Sequence, residues 1–339
     1  MAKVTVADLA KECGVSTATV SMVLSDKGRI SAATRRKVMI AIEKLGYVYN
    51  QQAANFRNQT SNQVGLLLQD ITNPFYSELV AGLSQQTEVN AMMMFIGNSE
   101  ESTQRQQKFV EAMSQNSVCG LVLCLARNTP RPFIAGLKTL PFPVILVARP
   151  SPELPFDYVG TDNVTGARLA ADHLISLGHR DIAFVGGLPE SITRAHRIEG
   201  YASRLQEAGI EPDPAWIVSC ESTRAAGAEA VTALLTRFPH ITAIVFHQDI
   251  IALGAIQGLR RMGRIIGKDI SIVGFDDVPE ASLIEPSLTT ISVEAREIAR
   301  IAGEILLTRL AGNQQPPQTV ILCPTLIERH SSGRCPEHR

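Results

Sequence analysis

No window of the 339-residue chain reaches the ~18 consecutive apolar residues of a membrane span, so a transmembrane helix is not expected. The N-terminus, MAKVTVADLA, also lacks the apolar run of a secretory signal, which points to a cytoplasmic protein. The six cysteines, Cys13, Cys119, Cys124, Cys220, Cys323 and Cys335, are scattered without a CxxC pair. Disulfides and zinc sites are therefore not expected, and most of these thiols should pack as small hydrophobes. Neither GxGxxG nor GxxxxGK[ST] occurs, which leaves dinucleotide binding and nucleotide hydrolysis without their phosphate-cradling loops. His173, His179, His196 and His247 lack ligand spacing such as HExxH and are expected at the surface or at helix ends. Asp276 and Asp277 are the one adjacent carboxylate pair that invites an acid-base reading. Neighbours at a strand end point apart, however, so one ligand-facing and one structural carboxylate is the expectation. No catalytic constellation, metal site or cofactor motif is left, and an enzyme is not expected.

The composition that is present, 45% hydrophobic and 19% charged, is that of a globular chain long enough for two or three packed units. A formal net charge of -1 hides an uneven distribution. Residues 1–60 carry nine Lys or Arg against four Asp or Glu, a net of +5, whereas the remainder carries 23 basic against 29 acidic residues, a net of −6. A small basic head on an acidic body implies a polyanionic partner for the head alone.

That head reads as three short helices without a strand. The first runs from about Val6 to Cys13 behind a Thr5 cap, and Gly14-Val15 makes a turn. Ser16 caps a second helix over Thr17 to Leu24, and Ser31 caps a longer one that ends near Gly46. Val6, Leu9, Ala10, Val15, Val20, Val23 and Leu24 can close a miniature core across the turn. Thr17, Ala18, Ser21 and Met22 are then left outward on the second helix. If that helix lies in a DNA major groove, those four meet base edges, while Thr5, Ser16, Thr19 and Ser31 hold phosphates and set the register. A capped helical hairpin that merely packs is the alternative.

From Val64 onward, apolar runs such as VGLLLQD, FPVILVAR, DIAFVGG and DISIVGFDD alternate with amphipathic helical stretches, the pattern of parallel sheets with covering helices. The runs exceed one doubly wound sheet, so the fold class is α/β: an all-α headpiece followed by two similar doubly wound subdomains with a cleft between them. The expected boundaries are 1–49 for the headpiece, 50–61 for a linker and 62–330 for the body, followed by a tail over 331–339. Subdomain one would take about 62–161 and 291–320, and subdomain two about 162–290 and 321–330. Polar groups recur where strands end and would face that cleft, where ligands commonly bind.

DLAKECGVSTATVSMVL, TRRKVMIAIEKLGYVYNQQAANF, DITNPFYSELVAGL, HLISLGHRDIAFVGG, RIEGY, IALGAI, DISIVGFDD and LTTI together resemble the lactose-repressor/galactose-repressor family along essentially the whole chain. SMVLSDKGRIS and SITRAHR are similar in particular to the maltose-regulon branch of that family. The resemblance implies a periplasmic-binding-protein-like body, a homodimer on a palindromic operator, and regulation by a small, sugar-like effector. It further implies that Asn50, Ala53, Phe56 and Arg57 belong to a hinge in the minor groove, with Phe56 where a wedging Leu is usual. Met22 likewise stands where a basic or polar group is usual, and offers bases only apolar contact. By motif, Phe75, Arg197, Gln248 and Asp276 are the implied effector contacts, with Asn98, Asp162, Ser191 and Thr193 behind them. Ala148 and Val293 stand where relatives often carry Asp and Gln, and Cys220 to Thr223 lacks an aromatic that several relatives supply. No leucine heptad follows LIERH, so a dimer is expected rather than a tetramer. A sugar-transport protein and a Rossmann-type enzyme are the rival readings; the headpiece speaks against the first and the missing phosphate loops against the second.

Overall fold

The computed structural model describes residues 4–24, 28–48, 61–151 and 154–336. The chain divides into two compact units, Met1–Ser61 and Asn62–Arg339.

In the first unit, local chemistry sets each helix end. Helix α1 (Val6–Cys13) opens on a capping box: the Asp8 N–H donates to Thr5 Oγ1 at 3.3 Å, and the Thr5 N–H donates to Asp8 Oδ2 at 2.8 Å. It closes on Gly14, whose φ of 64° is left-handed. Ser16 Oγ accepts from the Thr19 N–H at 3.1 Å ahead of α2 (Thr17–Leu24). Ser31 does the same for Thr34 at 3.2 Å ahead of α3 (Ala32–Leu45). Leu9, Ala10, Val20, Val23, Val38 and Ala41 form the core, with Val6, Val15 and Leu24 half-buried around it.

The second unit contains two six-stranded sheets. In the first, β1 (Gln63–Leu68), β2 (Met93–Asn98), β3 (Gly120–Leu123), β4 (Val144–Val147), β5 (Asp157–Thr161) and β11 (Thr319–Leu322) are ordered β11-β5-β4-β3-β1-β2, all parallel. In the second, β6 (Ile182–Val185), β7 (Ile217–Val218), β8 (Ala243–Phe246), β9 (Ser271–Asp276), β10 (Thr289–Ser292) and β12 (Thr325–Ile327) are ordered β12-β10-β9-β8-β6-β7. Only the β10–β12 pairing there is antiparallel. Most interior strands are buried at every residue, which is why they read as unbroken apolar runs. The helices are α4 (Pro74–Val89), α5 (Thr103–Gln115), α6 (Arg131–Leu137), α7 (Asn163–Ser176), α8 (Ile192–Glu207), α9 (Arg224–Arg237), α10 (Asp249–Arg261), α11 (Glu280–Leu283) and α12 (Ala295–Leu310).

The structure corrects four sequence expectations. Thr289–Ser292 pairs with β9 and belongs wholly to the second sheet, and Thr319–Leu322 belongs wholly to the first, so both late crossovers fall after the expected positions 291 and 321. Strands this short carry no periodicity that could place them. The segment from Ser331 is not a free tail: Ser331 is fully buried and donates to the Ile272 carbonyl at 2.8 Å, while the Gly333 N–H donates to Ser271 Oγ at 3.0 Å. His179 and His247 are buried rather than superficial, whereas His173, though buried, does sit at a helix end, in the last turn of α7. His179 joins Thr242 Oγ1 at 2.9 Å and Ser271 Oγ at 3.0 Å, partners 63 and 92 residues away that no local pattern reveals. Of the cysteines only Cys124 is buried, and Cys323 is exposed. No helix among the described residues is long and apolar enough to cross a membrane.

Paired helices approach each other through glycine. A Cβ on Gly254 of α10 would lie 1.9 Å from the Arg224 carbonyl oxygen at the start of α9, and one on Gly200 of α8 would lie 2.1 Å from the Val164 carbonyl oxygen of α7. Both obstacles are backbone and cannot rotate away. Gly254→Ala is therefore expected to destabilise the body by about 1–3 kcal/mol through overpacking, read as a lower urea midpoint with an unchanged slope. An unchanged midpoint would show that the two helices stand further apart.

Candidate functional site

On the headpiece, the buried Val20 and Val23 fix the rotation of α2, so that Thr17, Ala18 and Met22 face outward and Ser21 is half-buried. The outward face carries no charge, and its chemistry is hydroxyl, methyl and thioether. Thr5, Ser16 and Ser31 all sit at helix starts with hydroxyls engaged in capping, and Thr19 Oγ1 lies 2.9 Å from Ser16 Oγ. The Thr5 hydroxyl donates to Asp8 at 2.7 Å and, with the Thr5 N–H, holds that carboxyl below its ordinary pKa. Asn50, Ala53, Phe56 and Arg57 lie outside the described residues.

In the body, the C-terminal ends of the second sheet bring three of the expected ligand residues together. Arg197, on the inner face of α8, donates through Nε to Asn163 Oδ1 at 2.8 Å and through Nη1 to the His247 carbonyl. Its Nη2 lies 3.7 Å from Asp276 Oδ1, and its guanidinium stacks 3.6 Å above the Phe275 ring. Gln248 Nε2 donates to the other Asp276 oxygen at 3.3 Å. Asp276 and Asp277 both have positive φ, 119° and 56°, a range that L-residues adopt rarely. That twist sends the two carboxylates apart, Asp276 to Arg197 and Asp277 to Arg329 at 2.7 Å. Burial pushes the Asp276 carboxyl pKa upward, and the charge of Arg197 opposes it.

The other expected residues are placed differently. Phe75 is buried at the start of α4, edge-to-face with Tyr76 at a centroid distance of 5.1 Å. Asp162 caps α7, accepting from Thr165 N at 2.9 Å and from Thr165 Oγ1 at 2.7 Å. Asn98 accepts from the Ile71 N–H at 3.3 Å at the end of β2. Ser191 caps α8 and lies 2.9 Å from Thr193 Oγ1, both beside the first turn of that helix.

A cavity of about 300 Å³ opens between the subdomains, with Gln69, Tyr76, Glu101 and Arg127 on one side and Glu221 and Thr223 on the other. None of these six had been singled out from sequence. Glu101 accepts from both terminal nitrogens of Arg149, at 3.0 and 3.1 Å, and from the Arg127 N–H at 2.7 Å. Arg127 also reaches across to Glu221, 3.7 Å away. Where an aromatic had been missed, the wall at Glu221 to Thr223 is polar. Elsewhere in the body, two buried nitrogens, Arg149 Nε and His247 Nδ1, have no partner. An alternation of Gln69, Glu101 and Arg127 at strand ends was the only available signal, and such residues are common at any loop. The arrangement suits a small polar ligand held by forked donors and acceptors; among the described residues no cluster that could hold a metal ion is present.

Comparison with known proteins supports both units. Residues 5–50 match the family model for bacterial regulatory proteins of the lacI family, and residues 171–332 match the periplasmic binding protein-like domain. The chain is 35% identical over 335 residues to the maltose regulon regulatory protein MalI of Escherichia coli (strain K12), covering 96% of this chain and 98% of that protein. Among solved structures, the lac repressor dimer bound to operator and the anti-inducer ONPF matches with a TM-score of 0.86 at 26% identity, covering 98% of this chain and 100% of that one. The complex of the transcriptional regulator CelR with cellobiose matches with a TM-score of 0.73 at 28% identity, covering 97% of this chain and 100% of that one. With helix-turn-helix unit and two-sheet body both matched nearly end to end, the chain belongs to the lacI family of bacterial regulatory proteins, transcriptional regulators rather than enzymes.

Proposed function

We propose that the protein is a cytoplasmic repressor that binds a palindromic operator as a homodimer and is switched by a small, sugar-like effector in the cleft between its two sheets. The observation that carries the reading is the outward face of α2, where Thr17, Ala18 and Met22, with half-buried Ser21 beside them, stand over a packed core in a unit of net positive charge. These four read base edges. Thr5, Ser16, Thr19 and Ser31 set the register on phosphates, and Asn50, Ala53, Phe56 and Arg57 enter the minor groove. A solved relative carries operator and anti-inducer, and another carries cellobiose, which supports an operator site and a sugar site on this chain.

In the cleft, Arg197, Asp276 and Gln248 fix the effector through charge-assisted hydrogen bonds, with Phe75 as apolar floor and Asn98, Asp162, Ser191 and Thr193 at its edges. The effector regulates only through differential affinity for the operator-competent and operator-incompetent states.

The deciding experiment is selection of bound sequences from a random duplex pool. A palindrome is expected, and recovery of no preferred sequence would defeat the operator reading. Removal of residues 1–61 should abolish that binding yet leave a folded body, because the body has its own core. Specific binding retained by the truncated chain would reassign the DNA site. Met22→Arg is expected to favour guanine by about 1–3 kcal/mol at one symmetric pair of operator positions. An unchanged base preference at every position would show that residue 22 does not face the bases. Arg197→Gln and Asp276→Asn should weaken a cleft ligand about tenfold to a hundredfold, since each charge-assisted bond contributes about 1.5–3 kcal/mol. Calorimetric titration with cellobiose and related sugars reads the effect, with operator affinity as the control for folding. Wild-type affinity in both variants would move the ligand elsewhere.

A further inference from the structure

Arg127 is the one cation among the described residues that line the cavity between the subdomains, where Asp70, Glu100, Glu101 and Glu221 are the carboxylates. Bringing the two walls together therefore crowds like charges, and Arg127 is placed to offset them. The loop that carries it is braced on both sides. The Arg127 N–H donates to Glu101 Oε2 at 2.7 Å, and the preceding Ala126 N–H donates at 2.8 Å to Oε1 of Gln106, which is fully buried in α5. Thr129 Oγ1 closes the loop by donating to the Ala126 carbonyl at 2.6 Å. Arg149 holds Glu101 in turn and donates to the Leu125 carbonyl at 2.7 Å.

From this support the Arg127 side chain ends between two carboxylates. Its Nε lies 3.7 Å from Glu101 Oε1 on its own wall, and its Nη2 lies 3.7 Å from Glu221 Oε2 on the other. Among the ion pairs between described residues, Arg127–Glu221 is the one that joins the two subdomains. Glu221 belongs to the short segment between β7 and α9, and its side chain is 59% exposed against 19% for Arg127. A pair this open to water contributes little and is screened by salt. Parting the walls nevertheless leaves no partly buried cation unpaired, the outcome that would be costly, because Glu101 stays within reach of the same guanidinium. Arg127 thus has a counter-charge in two positions, one spanning the cleft and one confined to its own subdomain.

We propose that Arg127 is a latch on the effector cleft: paired with Glu221 it holds the two subdomains together across the cavity, and paired with Glu101 alone it lets them part to admit or release the ligand. The inference rests on the cleft being the effector site. The latch biases the same balance of states that an effector must shift, so its strength sets how much differential affinity the effector needs.

The test measures the separation of the subdomains in the full chain, without effector or operator. Nitroxides at Lys108→Cys in α5 and Ala233→Cys in α9, both exposed positions, report it by pulsed electron double resonance, with the exposed Cys323 replaced by Ser. Unlabelled chain is added so that single labelled protomers are read, and the chain without the two introduced cysteines is the labelling blank. Glu221→Gln should raise the population at longer distances about two- to fivefold, the weight of one exposed pair. Arg127→Gln should raise it at least as much, since carboxylates then face each other from both walls, and the double variant should go no further than the larger single one. In the wild-type protein, raising salt from about 0.05 M to about 1 M should shift the distances the same way by screening, a readout that needs no charge variant. The proposal is overturned if both variants keep the wild-type distances, if their effects compound in the double variant, or if Glu221→Gln responds to salt as strongly as wild type. Because no effector enters the measurement, a failure of the sugar titrations would count against the effector reading and leave these outcomes separate.

Discussion

Taking a guanidinium out of water costs several kcal/mol unless its charge and its donors are met, and the second sheet is arranged around meeting those of Arg197. Its compensation comes from three different places in the chain: Asn163 at the start of α7, the His247 carbonyl after β8, and Phe275 and Asp276 at the end of β9. Its own helix, α8, must press close enough for the side chain to reach over the sheet. Glycine at position 200 permits that approach to α7. A neighbouring carboxylate follows the same rule. Asp249 is fully buried, and burial raises its pKa to about 6, yet it accepts from Thr290 Oγ1 at 2.6 Å and from the Val278 N–H at 2.9 Å. These two polar residues tie α7, α8, α10, β8, β9 and β10 together at the C-terminal ends of the second sheet, so the proposed ligand contact at Arg197 rests on the same atoms as the integrity of the sheet.

The headpiece works with far less material. Among its described residues, six buried side chains and three capped helices hold it, and the caps are the same hydroxyl residues expected to approach phosphates. Its legibility in sequence follows from that economy. Thr5, Gly14, Ser16, Ser31 and Gly46 act on their own helices within a few residues, so a linear reading reaches all of them and places the three helix boundaries. The alternation of strands and helices in the body was equally local, because interior strands are buried throughout.

What was not legible is long-range. Arg197, Gln248 and Asp276 could be singled out by motif, and the structure brings them together. Asp162 and Asn98 were singled out by the same means; Asp162 caps α7 through the Thr165 N–H, and Asn98 accepts from the Ile71 N–H, 27 positions earlier in the chain. Glu101, Arg127 and Arg149 escaped notice because their meaning lies in one another across 26 to 48 positions of sequence. His179 and Ser331 were misread for the same reason: each looks superficial until its distant partners are folded against it.

The interleaving of the two sheets has a consequence for synthesis on the ribosome. Strand β5 would form the outer edge of the first sheet, with its backbone groups unpaired, were it not covered by β11 at Thr319–Leu322. Helix α12, which packs on that same sheet, is also drawn from the last fifth of the chain. The half of the body translated first is thus completed only near the end of the chain, and the half translated second closes with β12 a few residues later. Through most of elongation the nascent chain displays an open parallel edge, a surface that pairs readily with other strands. The last forty-five residues thus carry both the covering helix and the edge strand of a sheet whose other strands end at Thr161, and an arrest before them leaves that sheet without its seal.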